Sequence, residues 1–127
     1  MMKVKENEII EKRRTPIERR IDLLLDMMRG DYQRWQNLRS NSDDQIKQEM
    51  YEEYSNSLTY EYGNKYIKLI GDNSVKGFIV NVHNDKKFAY GDILKAASWR
   101  SPARNFARGN LFELSGFFKA AKWTGIA

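Results

Sequence analysis

The sequence predicts an α+β protein, with helices first and a small antiparallel sheet after them, on three observations. Apolar residues recur at three- and four-residue steps through the first 57 positions, strict alternation replaces that period from residue 58, and short Gly/Asn/Asp turns punctuate the alternating part. The division is therefore a helical part, 1–57, followed by a β-rich part, 58–127, expected to form one compact unit.

The elements follow in order. KENEIIEKRR, residues 5–14, is highly charged and helix-compatible. Thr15, Pro16 and Glu18 then supply an N-cap, a proline at the first helical position and a glutamate at the third, which opens a helix over about 16–29. Ile17, Ile21, Leu24, Leu25 and Met28 make its apolar stripe, and Gly30 is the expected stop. Asp31 can cap a further helix to about residue 39, with Tyr32, Trp35 and Leu38 on one side. Ser42, Asp43, Asp44 and Gln45 start another, about 43–57, with Ile46, Met50, Tyr51 and Tyr54 inward and the acidic pair favoured by the helix dipole.

From Leu58 the chain reads as a meander of strands over about 58–96: 58–62, 65–70, 75–82, a short 87–90, and 93–96, which reads as a strand or a helix start. Ser101 and Pro102 can begin a short helix or turn over 101–109. The closing residues 111–127 are apolar enough to pack, but Gly116 leaves helix and strand equally open.

Composition bounds the function. The chain has 127 residues, 41% of them hydrophobic and 31% charged. No apolar run approaches the roughly 20 residues of a membrane span, and the charged N-terminus is unlike a signal peptide, so a cytoplasmic protein without membrane contact is expected. Without cysteine there is no thiolate metal site, disulfide or cysteine nucleophile. The single histidine, His83, lies near Asp85 and could serve as a general base, but no nucleophile or oxyanion loop accompanies it. The glycines form no phosphate-binding loop. Neither an enzyme nor a bound cofactor is expected.

The net charge of +5 is uneven: +2 over 1–30, −3 over 31–57 and +6 over 58–127. Its densest stretch is SWRSPARNFARGN, residues 98–110. At helical pitch Arg100, Arg104 and Arg108 would share one side. Guanidinium forks suit phosphate, Asn105 and Asn110 add neutral donors, Lys95 adds a charge, and Trp99 offers a face for an unpaired base. The plainer reading places Trp99 and Phe106 in the core and pairs the arginines with Asp85, Asp92 or Glu113.

The run from Asp85, Lys87 and Phe88 through Gly91, Asp92, Lys95, Ala96, Ser98 and Trp99 to Pro102, Ala103, Arg104, Arg108, Gly109 and Asn110 resembles a small domain of short bacteriophage proteins. The resemblance covers roughly residues 65–113 and implies a phage accessory protein rather than an enzyme. Three functions follow as expectations. The first is nucleic-acid binding, DNA or RNA, by the basic C-terminal face. The second is inhibition of a host defence or nucleic-acid-binding protein, of the anti-CRISPR kind, with Trp35, Tyr51 and Tyr54 as aromatic anchors. The third is a virion or assembly component, which would make the chain a homo-oligomer through 5–14 and 111–127.

Overall fold

The computed structural model describes residues 14–39, 43–113 and 119–127. Helix α1 runs Pro16–Arg39 and α2 runs Asp44–Ser57. A five-stranded antiparallel sheet follows in the order β1 (Thr59–Tyr62), β2 (Tyr66–Gly71), β3 (Ser74–Val80), β4 (Asp92–Leu94) and β5 (Gly109–Asn110). A separate hairpin, β6 (Ala121–Lys122) with β7 (Gly125–Ile126), closes the chain. The α+β class is as the sequence predicts. The helix expected over 5–14 lies outside the described residues except for Arg14.

The capping box forms as read: the Thr15 amide donates to Glu18 Oε1 at 2.9 Å, and the Glu18 amide donates to Thr15 Oγ1 at 3.3 Å. Gly30 does not stop α1, so the two helices expected over 16–29 and 31–39 are one. The buried stripe continues past the glycine to Tyr32, whose ring stacks on Tyr54 at 4.5 Å between centroids, and to Gln36, whose amide donates to the Lys47 carbonyl of α2 at 2.9 Å. Those contacts outweigh the roughly 1 kcal/mol that a mid-helix glycine costs. Asp31 is thereby freed from capping and accepts the Trp123 amide of the terminal hairpin at 2.9 Å.

Asp43 is the N-cap of α2, accepting from the Ile46 amide at 2.9 Å. Of the four residues expected inward on this helix, Tyr54 is buried and Tyr51 is half-buried against the core, but Ile46 and Met50 are exposed. The helix touches the core mainly through its C-terminal half, and its first turns overhang solvent.

Asp72 and Asn73, both at positive φ, make the two-residue turn that joins β2 to β3, whose register shifts at a bulge between Leu69 and Ile70. Period-two alternation then sorts the sheet's faces. Ile67, Leu69, Ile79 and Ile93 point toward the helices and join Ile17, Ile21, Leu24, Leu25 and Met28 in the main core, which also takes in Leu111, Ala121 and Ile126. Phe78, Val80 and Leu94 lie in a second cluster, where Phe88, Val82, Ala96 and Ala107 from the long connections pack with them. Residues 87–90, expected as a strand, form a loop instead. Asp85 Oδ1 takes the amides of Lys87 and Phe88, both at 2.8 Å, and Asp92 Oδ2 takes that of Ala89 at 2.9 Å, so side chains satisfy the amides that a ladder would have used.

Candidate nucleic-acid interface

Residues 98–108 are not helical, and the expected stripe of three arginines does not form. Three local preferences defeat a helix. Ser98 Oγ accepts the amides of Arg100 and Ser101, at 3.3 and 3.2 Å. Ser101 precedes proline and is steered away from the α region, which keeps Arg100 out of any helix that begins at Pro102. The amides of Ala103 and Arg108 donate to Lys95 and Ile93 carbonyls at 2.7 and 2.8 Å, and Ala96 bridges to Pro102. The segment is a narrow antiparallel loop off β4 with Trp99 and Arg100 at its exposed tip.

Each arginine therefore has its own place. Arg104 is tethered at the surface: one guanidinium nitrogen lies 3.1 Å from Asp85 Oδ1, another bonds the Tyr66 hydroxyl, and the fork lies over the Phe88 ring at 4.8 Å. Lys65 Nζ reaches the other Asp85 oxygen at 2.7 Å, while Lys87 Nζ donates to the Arg104 carbonyl at 2.6 Å. The Asp85 side chain has no accessible surface. The Arg104 and Lys65 bonds, followed by the two amides, hold its carboxyl well below the usual carboxylate range. Two cations on one carboxylate leave this cluster one net positive charge, with both cations part-exposed.

Arg108 lies over the Phe106 ring at 4.0 Å, the two forming a surface pair further along the loop. Arg100 instead lines an open cleft of about 360 Å³ on the sheet's second face, together with Glu61, Gly63, Asn64, Lys65, Tyr66, Lys68 and Phe78. Lys68 Nζ sits 4.5 Å above the Trp99 ring, which is 49% exposed, so the loop tip and the strand meet through a cation–π contact. Lys95 and Asn105 are exposed but do not line the cleft, Asn105 Oδ1 accepting the Phe106 amide at 2.9 Å. Asn110 is a strut: its side-chain amide donates to the Tyr90 carbonyl and Asp92 Oδ1, and its oxygen accepts the Phe112 amide.

Of the expected nucleic-acid contacts, Arg100 lines the cleft and Trp99 meets it through Lys68, Lys95 and Asn105 are exposed without lining it, Arg108 pairs with Phe106, and Arg104 and Asn110 brace the scaffold. Sequence reasoning missed Lys68, Lys65, Tyr66 and Glu61. Alternation in YIKLI carried the signal, because with Ile67 and Leu69 inward, Tyr66 and Lys68 must share the opposite face.

The expected aromatic anchors separate likewise. Tyr54 is 2% exposed and donates its hydroxyl to the Trp123 carbonyl at 2.9 Å; it is core and presents no surface to a partner. Tyr51 is half-buried against that core. Trp35 packs on Trp123 at 4.9 Å and remains 36% exposed beside Leu38, which is 84% exposed. His83 stacks on Tyr90 at 4.1 Å while Asp85 is engaged by its two cations, so the structure does not assemble the His–Asp pair.

Among the described residues there is no cluster of His, Asp or Glu that could hold a metal ion, and no helix is long and apolar enough to cross a membrane. A family of unknown function (DUF7717) matches residues 3–127. The chain belongs to that family. Its match takes in the helical part as well as the sheet, so α1 and α2 are part of the family's shared sequence rather than an addition to the basic loop. Comparison with curated proteins and with solved structures finds no match.

Proposed function

We propose that this protein is a phage-type accessory protein that binds nucleic acid through the cleft formed by β2 and the 98–101 loop tip. The observation that carries this reading is that Lys68 and Arg100 line one cleft while the Trp99 ring, next to Arg100 in the chain, lies against Lys68. The Lys65–Asp85–Arg104 cluster adds a net positive charge beside it. Cationic grooves with stacking platforms suit single strands, whose bases are free to leave the stack. The phage assignment rests on the resemblance of residues 85–110.

The test is fluorescence anisotropy with labelled single-stranded oligonucleotides across a salt series. Log affinity is expected to fall linearly with log salt, with a slope corresponding to about 3–5 neutralised phosphates. Replacing both Lys68 and Arg100 with alanine is expected to reduce that slope by about 2 and weaken binding at all salt concentrations. Salt-insensitive or undetectable binding at micromolar protein would refute the reading.

A second reading, inhibition of a host protein, draws on the exposed Trp35 and Leu38 on α1, with Arg34 and Arg39 alongside them. It requires a protein partner that survives nuclease treatment and is lost on Leu38→Asp substitution.

A further inference from the structure

The same cleft contains an acidic group that a simple phosphate groove would not need. Glu61 lies opposite Lys68 in the β1–β2 register, yet Lys68 reaches Trp99 instead, and no ion pair among the described residues claims the Glu61 carboxylate. The cleft thus has a carboxylate from the edge strand and Lys68 and Arg100 as cations, and the exposed Trp99 ring lies next to it, under the Lys68 ammonium. Its volume of about 360 Å³ is at the low end of ligand pockets, which run to roughly 300–1,000 Å³, and suits one nucleotide better than a longer segment.

We propose that the cleft selects an unpaired guanine within a single strand, an inference that rests on the nucleic-acid reading above. An ionised carboxylate only accepts hydrogen bonds, through two oxygens side by side. Guanine presents two adjacent donors on its Watson–Crick edge, the ring N1–H and the exocyclic amine, and so satisfies both oxygens. Adenine and cytosine place an acceptor nitrogen beside their amine, which would face the second oxygen and repel it. Uracil and thymine flank their one N–H with carbonyls. Glu61 therefore reads the base edge, the Trp99 ring takes the base face, and Lys68 and Arg100 take the phosphates on either side. When the base occupies the ring, the Lys68 ammonium that rests there is displaced toward the backbone.

The experiment uses labelled eight-nucleotide pyrimidine strands, uracil in RNA and thymine in DNA, carrying one central guanine, adenine or cytosine. Their affinities for the full chain and for Glu61→Gln are compared. The guanine strand is expected to bind roughly ten-fold tighter than the others in both RNA and DNA, since the carboxylate reads only the base. Glu61→Gln is expected to abolish that preference and, by removing a negative charge from the cleft, to strengthen binding of the unsubstituted strand. Glu61 is exposed on the edge strand, so this variant folds normally. Salt-sensitive binding with equal affinity for all bases, or a guanine preference that survives Glu61→Gln, overturns the selectivity and leaves the nucleic-acid reading standing. Absence of salt-sensitive binding to every strand overturns both.

Discussion

Asp85→Asn is expected to lower the melting temperature by roughly 10 °C and to flatten its dependence on acid. The carboxylate is enclosed by Arg104, Lys65 and the amides of Lys87 and Phe88. Asparagine keeps the shape and one acceptor oxygen, but it removes the charge and turns an amide donor toward a cation. The two part-exposed cations can turn to water, so the loss falls on the enclosed group, which gives up two charge-assisted bonds and sets a donor against a cation. The same geometry fixes the sign of the pH effect. The folded-state pKa of Asp85 is depressed, chiefly by Arg104 and then by Lys65, so its stabilisation is fully present above the unfolded carboxyl value of about 3.9. It is lost progressively as pH falls below roughly 5 toward the folded value. Thermal melts between pH 7 and pH 2 should therefore fall more steeply for the parent chain than for Asp85→Asn, which keeps the share of other depressed carboxyls such as Glu18. If the variant does not fold, the acid limb of the parent chain still tests the argument, and parallel melting curves for parent and variant would count against it.

This keystone also explains what could and could not be read from the sequence. The N-terminus of α1 was legible because a capping box is a local device whose three residues meet within one turn. The meander was legible because alternation in residues 58–70 and the Asp72–Asn73 turn are local as well. Gly30 misled for the opposite reason: its helix is held by Tyr32 on Tyr54 and Gln36 on Lys47, partners that pattern alone does not reveal. The exposed Ile46 and Met50 fit a helical stripe that has nothing to pack against.

For the basic loop, spacing of four suggested a helix, whereas Ser98 and the residue before Pro102 favoured a turn. Those weak signals prevailed because the sheet edge at Ile93 and Lys95 offered carbonyl partners to the loop's amides. Arg104 and Asp85, 19 positions apart, are brought together by that loop. Much of the pattern over residues 85–110 consequently reads as architecture: Asp85, Lys87, Phe88, Asp92, Arg104 and Asn110 fasten the loop to the sheet, while Trp99 and Arg100 remain at its tip. Such a scaffold supports a binding edge by fixing where the tip stands over Lys68.

The terminal hairpin depends on one close approach, and Gly77→Ala is expected to cost about 1–3 kcal/mol of stability. A Cβ at this position in β3 would lie 2.5 Å from Ile126 Cγ1, 3.2 Å from Ile126 Cβ and 3.1 Å from the Leu94 carbonyl oxygen. None of these atoms is the free end of a flexible side chain, so the β6–β7 hairpin would have to shift away from the sheet. Trp123 belongs to that hairpin and packs on Tyr32, Trp35 and Tyr54, so its displacement would carry the disturbance into α1 and α2. Denaturant unfolding measures the loss, and a red shift in tryptophan emission reports the displaced ring. Ile126→Ala alone removes a buried side chain from the main core and is expected to cost about 2–5 kcal/mol. The double variant is then expected to lose at least about 1 kcal/mol less than the sum of the two, because the added methyl meets the space that the isoleucine vacated. Strict additivity would mean that the hairpin does not press on Gly77, and that the sheet and the C-terminus are held together by some other contact.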